Sequence, residues 1–307
     1  MRWVCTTSMD HTAQIWQVGW ACLSDPSTLS GHTDFVTSAM FSEDGALVVT
    51  SSDDNTAKIW NVPSIIPDDD GHMTLATCEC TMTLRGHPDS MNDAVFSPDG
   101  RAVLTVSLWA ATIWNVATGY RVHKLSGHTK GLESAVYSQD GSMVVTVSID
   151  KTAKIYNAST GECTMTLRGH TDTLESAVFS HGGDVLTASQ DFTAKLWTAS
   201  GHLLQTFTGH THYVISAAFS KHGPWGEHGA SVVTASADGT AKLWNADTGE
   251  CTMTLRGHDD CVISAVFSLD IVLTVSHDFA KIWNLFTGDC IRTFHRAKDG
   301  RYLCASV

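Results

Sequence analysis

The stretch GECTMTLRGHTDTLESAVFSHGGDVLTASQDFTAKLW, residues 161–197, decides the fold, because most of the remaining chain consists of edited copies of it. Its first ten letters recur unchanged at residues 249–258, and that copy continues with SAVFS at 264–268 and AKIW at 280–283. Internal repetition of this kind predicts a chain of supersecondary units that bury a continuous core by packing against their neighbours.

Two markers count the copies. A Gly-His pair occurs six times, with spacings of 55, 41, 42, 40 and 48 residues, at Gly31-His32, Gly86-His87, Gly127-His128, Gly169-His170, Gly209-His210 and Gly257-His258. An aromatic residue closes a short apolar run seven times, at Trp16, Trp60, Trp114, Tyr156, Trp197, Trp244 and Trp283. The chain therefore contains six full units and one partial unit at its N-terminus.

Each unit is composed of short β-branched and aromatic runs between turn signals, such as FVTSAMFS (35–42), ALVVTSS (46–52) and TAKIW (56–60). A period of about 40 to 45 residues, with Gly-His near one end and an aromatic near the other, resembles the WD40 repeat over essentially the whole chain. The resemblance implies an all-β fold, a seven-bladed β-propeller of four-stranded antiparallel blades. The dipeptide that names the family is mostly Trp-Asn here, as at Trp60-Asn61.

These units predict one propeller domain over residues 1–307. Its full repeats are expected at about 31–85, 86–126, 127–168, 169–208, 209–256 and 257–296. Residues 1–30 form a partial blade, because WVCTTS (3–8) and TAQIW (12–16) match second and third strands without a preceding first strand. A missing strand would leave backbone groups unpaired at an edge, and we expect residues 299–307 to supply it.

Four units depart from the pattern, and one of them is the last, which is trimmed because SLDIVLTVS (268–276) lacks the turn glycine and SHDFAKIW (276–283) lacks the Thr. The first full unit carries an insert at 63–75, rich in Pro, Gly and Asp, which predicts a surface loop between its third and fourth strands. Another unit carries KHGPWGEHG at 221–229 between its first two strands. The second full unit has Leu-Trp-Ala-Ala at 108–111, where other copies place an Asp, which predicts a vacant carboxylate site there.

Composition excludes several classes of function. The net charge of −13, from 19 basic and 32 acidic side chains, opposes nucleic-acid binding. The sequence has no run of 18 or more apolar residues, the length needed to span a membrane. Repeat sequence already occupies residues 1–17, where a secretory signal would lie. Four of the nine cysteines occupy one repeat position, at Cys80, Cys163, Cys251 and Cys290. This favours reduced thiols in a reducing compartment, the cytoplasm with the nucleus as an alternative.

A metal site is the alternative reading of one cysteine-rich stretch. Cys78 and Cys80, with His72 and His87 nearby, could be drawn as a zinc site. Cys80 and His87 are repeat positions, however, and have their own structural explanation. We therefore expect neither a metal nor a cofactor.

A His, a Ser, an Asp and a Trp recur together and invite comparison with a catalytic triad. The sets are His32, Ser52, Asp54 and Trp60; His170, Ser189, Asp191 and Trp197; His210, Ser236, Asp238 and Trp244; and His258, Ser276, Asp278 and Trp283. Catalysis needs one site with a pocket and an oxyanion hole, whereas this set occurs in most units. The resemblance to WD-repeat proteins implies a hydrogen-bonded network within each blade.

In WD-repeat proteins, the fourth-to-first and second-to-third strand connections form the usual partner platform. Matching positions here are Phe35, Thr37, Asp53, Ser90, Asn92, Glu133, Ile149, Thr173, Glu175, Gln190, Tyr213, Ile215, Cys261, Ile263, His277 and Met9. They differ between units while the framework hardly changes, as a binding surface requires, although drift at exposed positions gives the same pattern. The mixture of aromatics, isoleucines and carboxylates favours a protein or peptide partner with a basic anchor and an apolar neighbour.

Two classes of function follow. The first is a non-enzymatic interaction scaffold, a monomeric propeller within a larger complex such as a signalling, centriolar or ubiquitin-ligase assembly. The second is an enzyme that uses the propeller channel as its pocket, which would need a polar cluster outside the repeat pattern. The histidines outside the pattern are His72, His222 and His228, without identifiable partners in the sequence. The sequence therefore favours the scaffold.

Overall fold

The computed structural model describes residues 2–18, 26–62, 65–67, 73–75, 78–220 and 231–295. Within these ranges the regular structure is entirely β-strand, and no helix is present that could cross a membrane. The described residues fall into two compact units, one ending at Leu125 and the other beginning at Ser126. The prediction of a single domain over residues 1–307 stays a prediction.

The first unit contains three antiparallel sheets, blades I to III. Blade I has three strands among the described residues: β1 Arg2–Thr7, β2 Thr12–Val18 and β3 Ser27–Ser30. Blade II has four, β4 Val36–Phe41, β5 Leu47–Ser52, β6 Thr56–Asn61 and β9 Cys80–Arg85, with a hairpin of β7 Ile65–Pro67 and β8 Met73–Leu75 between the last two. Blade III has β10 Met91–Phe96, β11 Ala102–Ser107, β12 Ala110–Asn115 and β13 Arg121–Leu125.

The second unit contains four sheets of four strands each. Blade IV has β14 Leu132–Tyr137, β15 Met143–Ser148, β16 Thr152–Asn157 and β17 Cys163–Arg168. Blade V has β18 Leu174–Phe179, β19 Val185–Ser189, β20 Thr193–Trp197 and β21 Leu203–Thr208. Blade VI has β22 Val214–Phe219, β23 Ser231–Ser236, β24 Thr240–Asn245 and β25 Cys251–Arg256. Blade VII has β26 Val262–Ser268, β27 Ile271–Ser276, β28 Phe279–Asn284 and β29 Cys290–His295.

The second strand of each four-stranded blade is the most buried. All residues of β19 and β23 are buried, because both faces of these strands are covered by neighbouring sheets. Hydrophobic clusters join one blade to the next, and one of them unites Ile155 and Leu167 of blade IV with Trp197 of blade V. Each blade is therefore stabilised by packing against its neighbour within the unit, as in other repeat proteins.

The seven sheets confirm the predicted fold class, a seven-bladed β-propeller of antiparallel blades. One detail of the prediction is wrong: the insert at 63–75 lies between third and fourth strands, but it is not only a loop. Ile65 pairs with Leu75 and Ile66 with Thr74, because short β-forming runs flank the Asp-Gly turn signal of the insert. The insert at 221–229 and the proposed closing strand at 299–307 lie outside the described residues.

Candidate partner-binding face and its polar framework

A chain of four side chains crosses blade V from its core to its Gly-His turn. The Trp197 indole N–H donates to Thr187 Oγ1 at 2.9 Å, and that hydroxyl donates to His170 Nε2 at 2.8 Å. His170 Nδ1–H then donates to Asp191 Oδ2 at 2.8 Å. Because Asp191 also accepts the Thr171 backbone N–H at 2.9 Å, the chain ties the turn to the strands. Every buried polar group along it has a partner, which avoids the penalty of unpaired burial.

The same arrangement recurs in three other blades. Blade II uses His32, Thr50, Asp54 and Trp60, blade VI uses His210, Thr234, Asp238 and Trp244, and blade IV uses His128, Thr146 and Asp150. In blade IV, Tyr156 replaces the tryptophan, and its hydroxyl donates to the Ser126 carbonyl at 3.1 Å. Burial acts to raise the pKa of Asp54, but hydrogen bonds from Thr56, the Thr33 amide and His32 outweigh burial and lower this pKa to about 2.

The hydroxyl in this hydrogen-bonded series belongs to a threonine and not to the predicted serine. Ser52, Ser189 and Ser236 were grouped with the His, Asp and Trp, yet the indole is satisfied by a threonine two residues earlier. Each serine instead stabilises the turn: Ser189 Oγ donates to the Thr173 carbonyl at 2.8 Å and accepts the Asp191 backbone N–H at 3.1 Å. The Thr-X-Ser spacing was a usable signal, since residues two apart on a strand share a face.

Blades III and VII use a shorter turn, which corrects two further predictions. In blade VII the register pairs Val275 with Ala280, and Asp278 lies exposed in the turn instead of joining His258. Ser276 takes its place, with its Oγ 3.0 Å from His258 Nδ1. The site predicted to be vacant in blade III is filled in the same way, because Ser107 Oγ lies 3.0 Å from His87 Nδ1. Both turns are one residue shorter than those that carry the Asp.

The ring nitrogens of these two histidines contact Ser and Thr hydroxyls instead of a carboxylate, and burial lowers the pKa of each to about 4. Because the folded-state pKa lies below the unfolded value of about 6.5, their stabilising contribution is complete above pH 6.5. We expect stability to decline as the pH falls from about 6.5 to about 4, by up to about 1.4 kcal/mol per pH unit for each histidine. NMR titration of the His258 ring protons checks this directly, and a midpoint near 6.5 would contradict it.

The framework has the connectivity of an Asp-His-hydroxyl triad but not its accessibility. Thr187 and Ser189 are fully buried, and the Thr187 hydroxyl already accepts the Trp197 indole N–H. A nucleophile must reach a substrate carbonyl beside preorganised oxyanion donors. The repeated polar set therefore supports the blades.

The face carries a feature that the sequence analysis missed. The first strand of each blade from II to VII has a β-bulge, and its extra residue is a predicted face residue: Thr37, Asn92, Glu133, Glu175, Ile215 or Ile263. In blade V, Leu174 pairs with Ser189 and Ser176 with Ala188, so Glu175 has no strand partner. Bulges re-aim a side chain and often occur beside functional sites.

The other predicted face residues vary in accessibility. Phe35 and Tyr213 are 42% and 39% exposed. Ser90, His277 and Met9 are exposed, and Asp53, Ile149, Gln190 and Cys261 are half-buried. Thr173 corrects the prediction, because its side chain is only 9% exposed and its carbonyl is occupied by Ser189 and Gln190.

Two carboxylates, Glu133 and Glu175, lie at bulges of the face in the second unit, whose connections also carry Lys130, Lys151, Asp172, Asp259 and Asp260. Burial raises the pKa of Glu133, and the nearby charge of Glu175 raises it further. Glu175 also accepts a hydrogen bond from the Gln190 amide of the second-to-third strand turn. The two side chains lie in adjacent blades and repel each other, so a positive charge placed between them would be stabilised.

Two polar or aromatic features escaped the sequence analysis. Asp93 stands where other blades have Ser38, Ser134 or Ser176, and it accepts the Ser38 hydroxyl at 2.6 Å, while burial raises its pKa. Phe192 and His212 form a ring cluster with Tyr213. Asp93 could have been noticed in the sequence, because the same repeat position holds Ser in other blades. The contacts among the three rings depend on the backbone conformation of a turn and could not.

The cysteine-rich stretch of blade II has other contacts. Both ring nitrogens of His87 are engaged, by Ser107 and Thr105, and Cys80 lies exposed on the outer strand. Within the described ranges, no group of three or more His, Cys, Asp or Glu side chains is placed to hold a metal ion. His72 lies outside those ranges.

Comparison with known proteins agrees with the repeat pattern. The family model described as "WD domain, G-beta repeat" matches residues 24–61, 78–115, 119–157, 161–198 and 201–245. Nuclear distribution protein PAC1-2 of Uncinocarpus reesii is 28% identical over 205 residues, 64% of this chain and 38% of that protein. WD repeat-containing protein 26 homolog of Arabidopsis thaliana is 36% identical over 31% of this chain and 15% of its own length.

A third relative is the small ribosomal subunit protein RACK1 of Caenorhabditis elegans. It is 34% identical over 96 residues, 30% of this chain and 28% of its own length. The matched segments thus span less than half of each of these relatives.

Proposed function

Because the chain belongs to the WD40-repeat family, we propose that it is a non-enzymatic scaffold that binds other proteins through the Gly-His end of its blades. One observation carries the proposal: a polar framework that is nearly constant in blades II, IV, V and VI, with a serine variant in blades III and VII, supports bulged first-strand positions whose side chains differ. Function on such a fold lies in the variable loops and not in the repeated frame.

The relatives have names as different as nuclear distribution protein and small ribosomal subunit protein. A propeller is therefore compatible with several assemblies, and the face residues have to select the partner. We also propose that the protein lies in the cytoplasm and acts within a larger assembly, such as a signalling, centriolar or ubiquitin-ligase complex.

The partner we propose is a protein segment with a basic anchor. Glu133 and Glu175 form a pair of neighbouring carboxylates, in a chain with a net charge of −13. A Lys or Arg placed between them would relieve their repulsion and gain a charge-assisted hydrogen bond. Ile215 of the next blade, at the corresponding bulge, supplies an apolar neighbour.

Replacing Glu133 and Glu175 with Lys is expected to slow association with a basic partner segment by about tenfold, because electrostatic steering is reversed. The salt dependence of association should also become weaker. Stopped-flow measurements at low and high ionic strength, with a fluorescent lysine-rich peptide, test both effects.

A matched control changes the same charge elsewhere. Glu162→Lys with Glu250→Lys alters two exposed carboxylates in third-to-fourth strand turns, at the other end of the blades. Equal slowing by both pairs would indicate a general charge effect and contradict a specific face. Neither pair touches the framework, so both variants should keep the native melting temperature.

For the enzymatic alternative, we consider a cleft in blades IV and V that is lined by Ser138, Asp140, His181 and their neighbours. The Ser138 hydroxyl donates to Asp140 at 2.6 Å. The same contact recurs from Ser42 to Asp44 and from Ser97 to Asp99. It therefore stabilises a hairpin turn and does not favour a catalytic site.

A further inference from the structure

Phe192 has a backbone conformation that bulky residues rarely adopt. It lies in the turn between β19 and β20 with a φ of +71°, in the left-handed region. The corresponding turn position holds Asn55 in blade II and Gly239 in blade VI, residues that adopt this region readily, but it holds His11 in blade I and Lys151 in blade IV, which share the positive φ of Phe192. A strained residue persists where its surroundings impose it, and such residues cluster at functional sites.

The strained turn places the Phe192 ring against two rings of the next blade. Its centroid lies 5.8 Å from that of His212, with 29° between the planes, and 5.8 Å from that of Tyr213. His212 and Tyr213 are themselves 4.4 Å apart in an edge contact. Phe192 and Tyr213 remain about two-fifths exposed, at 40% and 39%.

A backbone hydrogen bond orients the imidazole of this cluster. The Tyr213 backbone N–H donates to His212 Nδ1 at 2.9 Å. The His212 ring stacks on Phe192 in this orientation. We refer to Phe192, His212 and Tyr213 as the ring platform.

The charge around the platform favours a cation. Neither the turn 190–192 nor the loop 209–213 contains Lys or Arg. The side-chain amide of Gln190, in the same turn as Phe192, donates a hydrogen bond to the Glu175 carboxylate. Aromatic faces attract cations, and arginine stacks on them more often than lysine.

We propose that the ring platform binds an arginine side chain of the partner segment, while Glu175 contributes the neighbouring negative charge. This rests on the proposed function, since it names the chemistry of one subsite on the same face. The contact between His11 and Phe35, 5.7 Å apart at the equivalent junction of blades I and II, lacks the third ring and offers an internal comparison.

Phe192→Asn removes the aromatic ring but should keep the fold of the turn, because Asn55 occupies the corresponding position in blade II. The variant therefore separates an effect on binding from an effect on stability. The backbone strain should be relieved, so the melting temperature should rise by about 1 to 3 °C. The affinity for the peptide acetyl-Ala-Ala-Arg-Ala-Ala-amide should fall by about two- to fivefold, as expected for an exposed cation–π contact. His11→Asn, in the equivalent turn of blade I, is the matched control and should leave the affinity unchanged.

NMR of labelled Phe and Tyr rings measures this affinity. The same peptide with citrulline in place of arginine is the uncharged comparison. Stronger binding of the arginine peptide, weakened by Phe192→Asn, supports the platform. A lower melting temperature with unchanged affinity would show that Phe192 only clasps blades V and VI, and equal binding of the citrulline peptide would exclude a cation site. Either result overturns the inference.

The same titration separates this inference from the proposed function. Peptide binding that needs Glu133 and Glu175 but is indifferent to Phe192→Asn would overturn the platform and leave the acidic anchor in place. Binding that needs Phe192 but tolerates both glutamate substitutions would support the contact between arginine and the three rings, and would contradict both the acidic anchor and the contribution of Glu175.

Discussion

Thr187→Val is expected to lower the free energy of unfolding by about 2 to 5 kcal/mol, a large effect for a substitution that hardly changes volume. The Thr187 hydroxyl accepts the Trp197 indole N–H and donates to His170 Nε2. Valine removes both contacts at once and leaves two buried polar groups without a partner. Urea denaturation of the two proteins measures the difference.

Thr187→Ser is the matched control. Serine keeps the hydroxyl and removes one methyl group, so it should lower the free energy of unfolding by only about 1 kcal/mol. Similar losses for Val and Ser would mean that packing, and not the hydrogen-bonded chain, makes Thr187 important.

Asp191→Ala and Asp278→Ala should differ sharply although both residues follow a serine by two positions. Asp191 accepts hydrogen bonds from His170, the Thr171 amide and Thr193, so its removal should lower the free energy of unfolding by about 1 to 3 kcal/mol. Asp278 is exposed in its turn, and its removal should change stability by less than about 0.5 kcal/mol. Equal effects in denaturant titrations would contradict the shorter turn of blade VII.

Most of the fold could be predicted from the sequence because the sequence is a repeat. A duplicated unit keeps its Gly-His pair, its β-branched runs and its closing Trp, because each blade needs the same framework. Counting Trp16 to Trp283 therefore indicated seven blades before any coordinate was known. Blade I has three strands among the described residues, and the closing strand expected at 299–307 lies outside them.

Hydrogen-bond partners were harder to assign from sequence. Thr187 and Ser189 lie on one face of β19, and sequence alone does not say which hydroxyl meets His170. In blade VII, one deleted residue shifts the turn and removes Asp278 from His258, although Ser, Asp and Trp still occur in the usual order. The deletion is readable in the sequence, where SHDFAKIW (276–283) lacks the Thr, but its effect on the partner of His258 is not.

The face illustrates the same limit. The sequence located Glu175 and Tyr213 by their distance from Gly-His, but not the bulge that aims Glu175 nor the ring packed against Tyr213. A positive φ at Phe192 contradicts the preference of its residue type, so no propensity rule predicts it.

Binding at the Gly-His end of the blades is tested most directly by amide hydrogen exchange of the protein, with and without the partner that affinity purification recovers. We expect the partner to slow exchange in the second-to-third and fourth-to-first strand connections, above all at 131–133, 173–175, 190–192 and 211–215. The inserts at 63–75 and 221–229 should exchange at the same rate in both states. Slowed exchange confined to those inserts, or to the third-to-fourth strand turns, would place the partner elsewhere and contradict the proposed face.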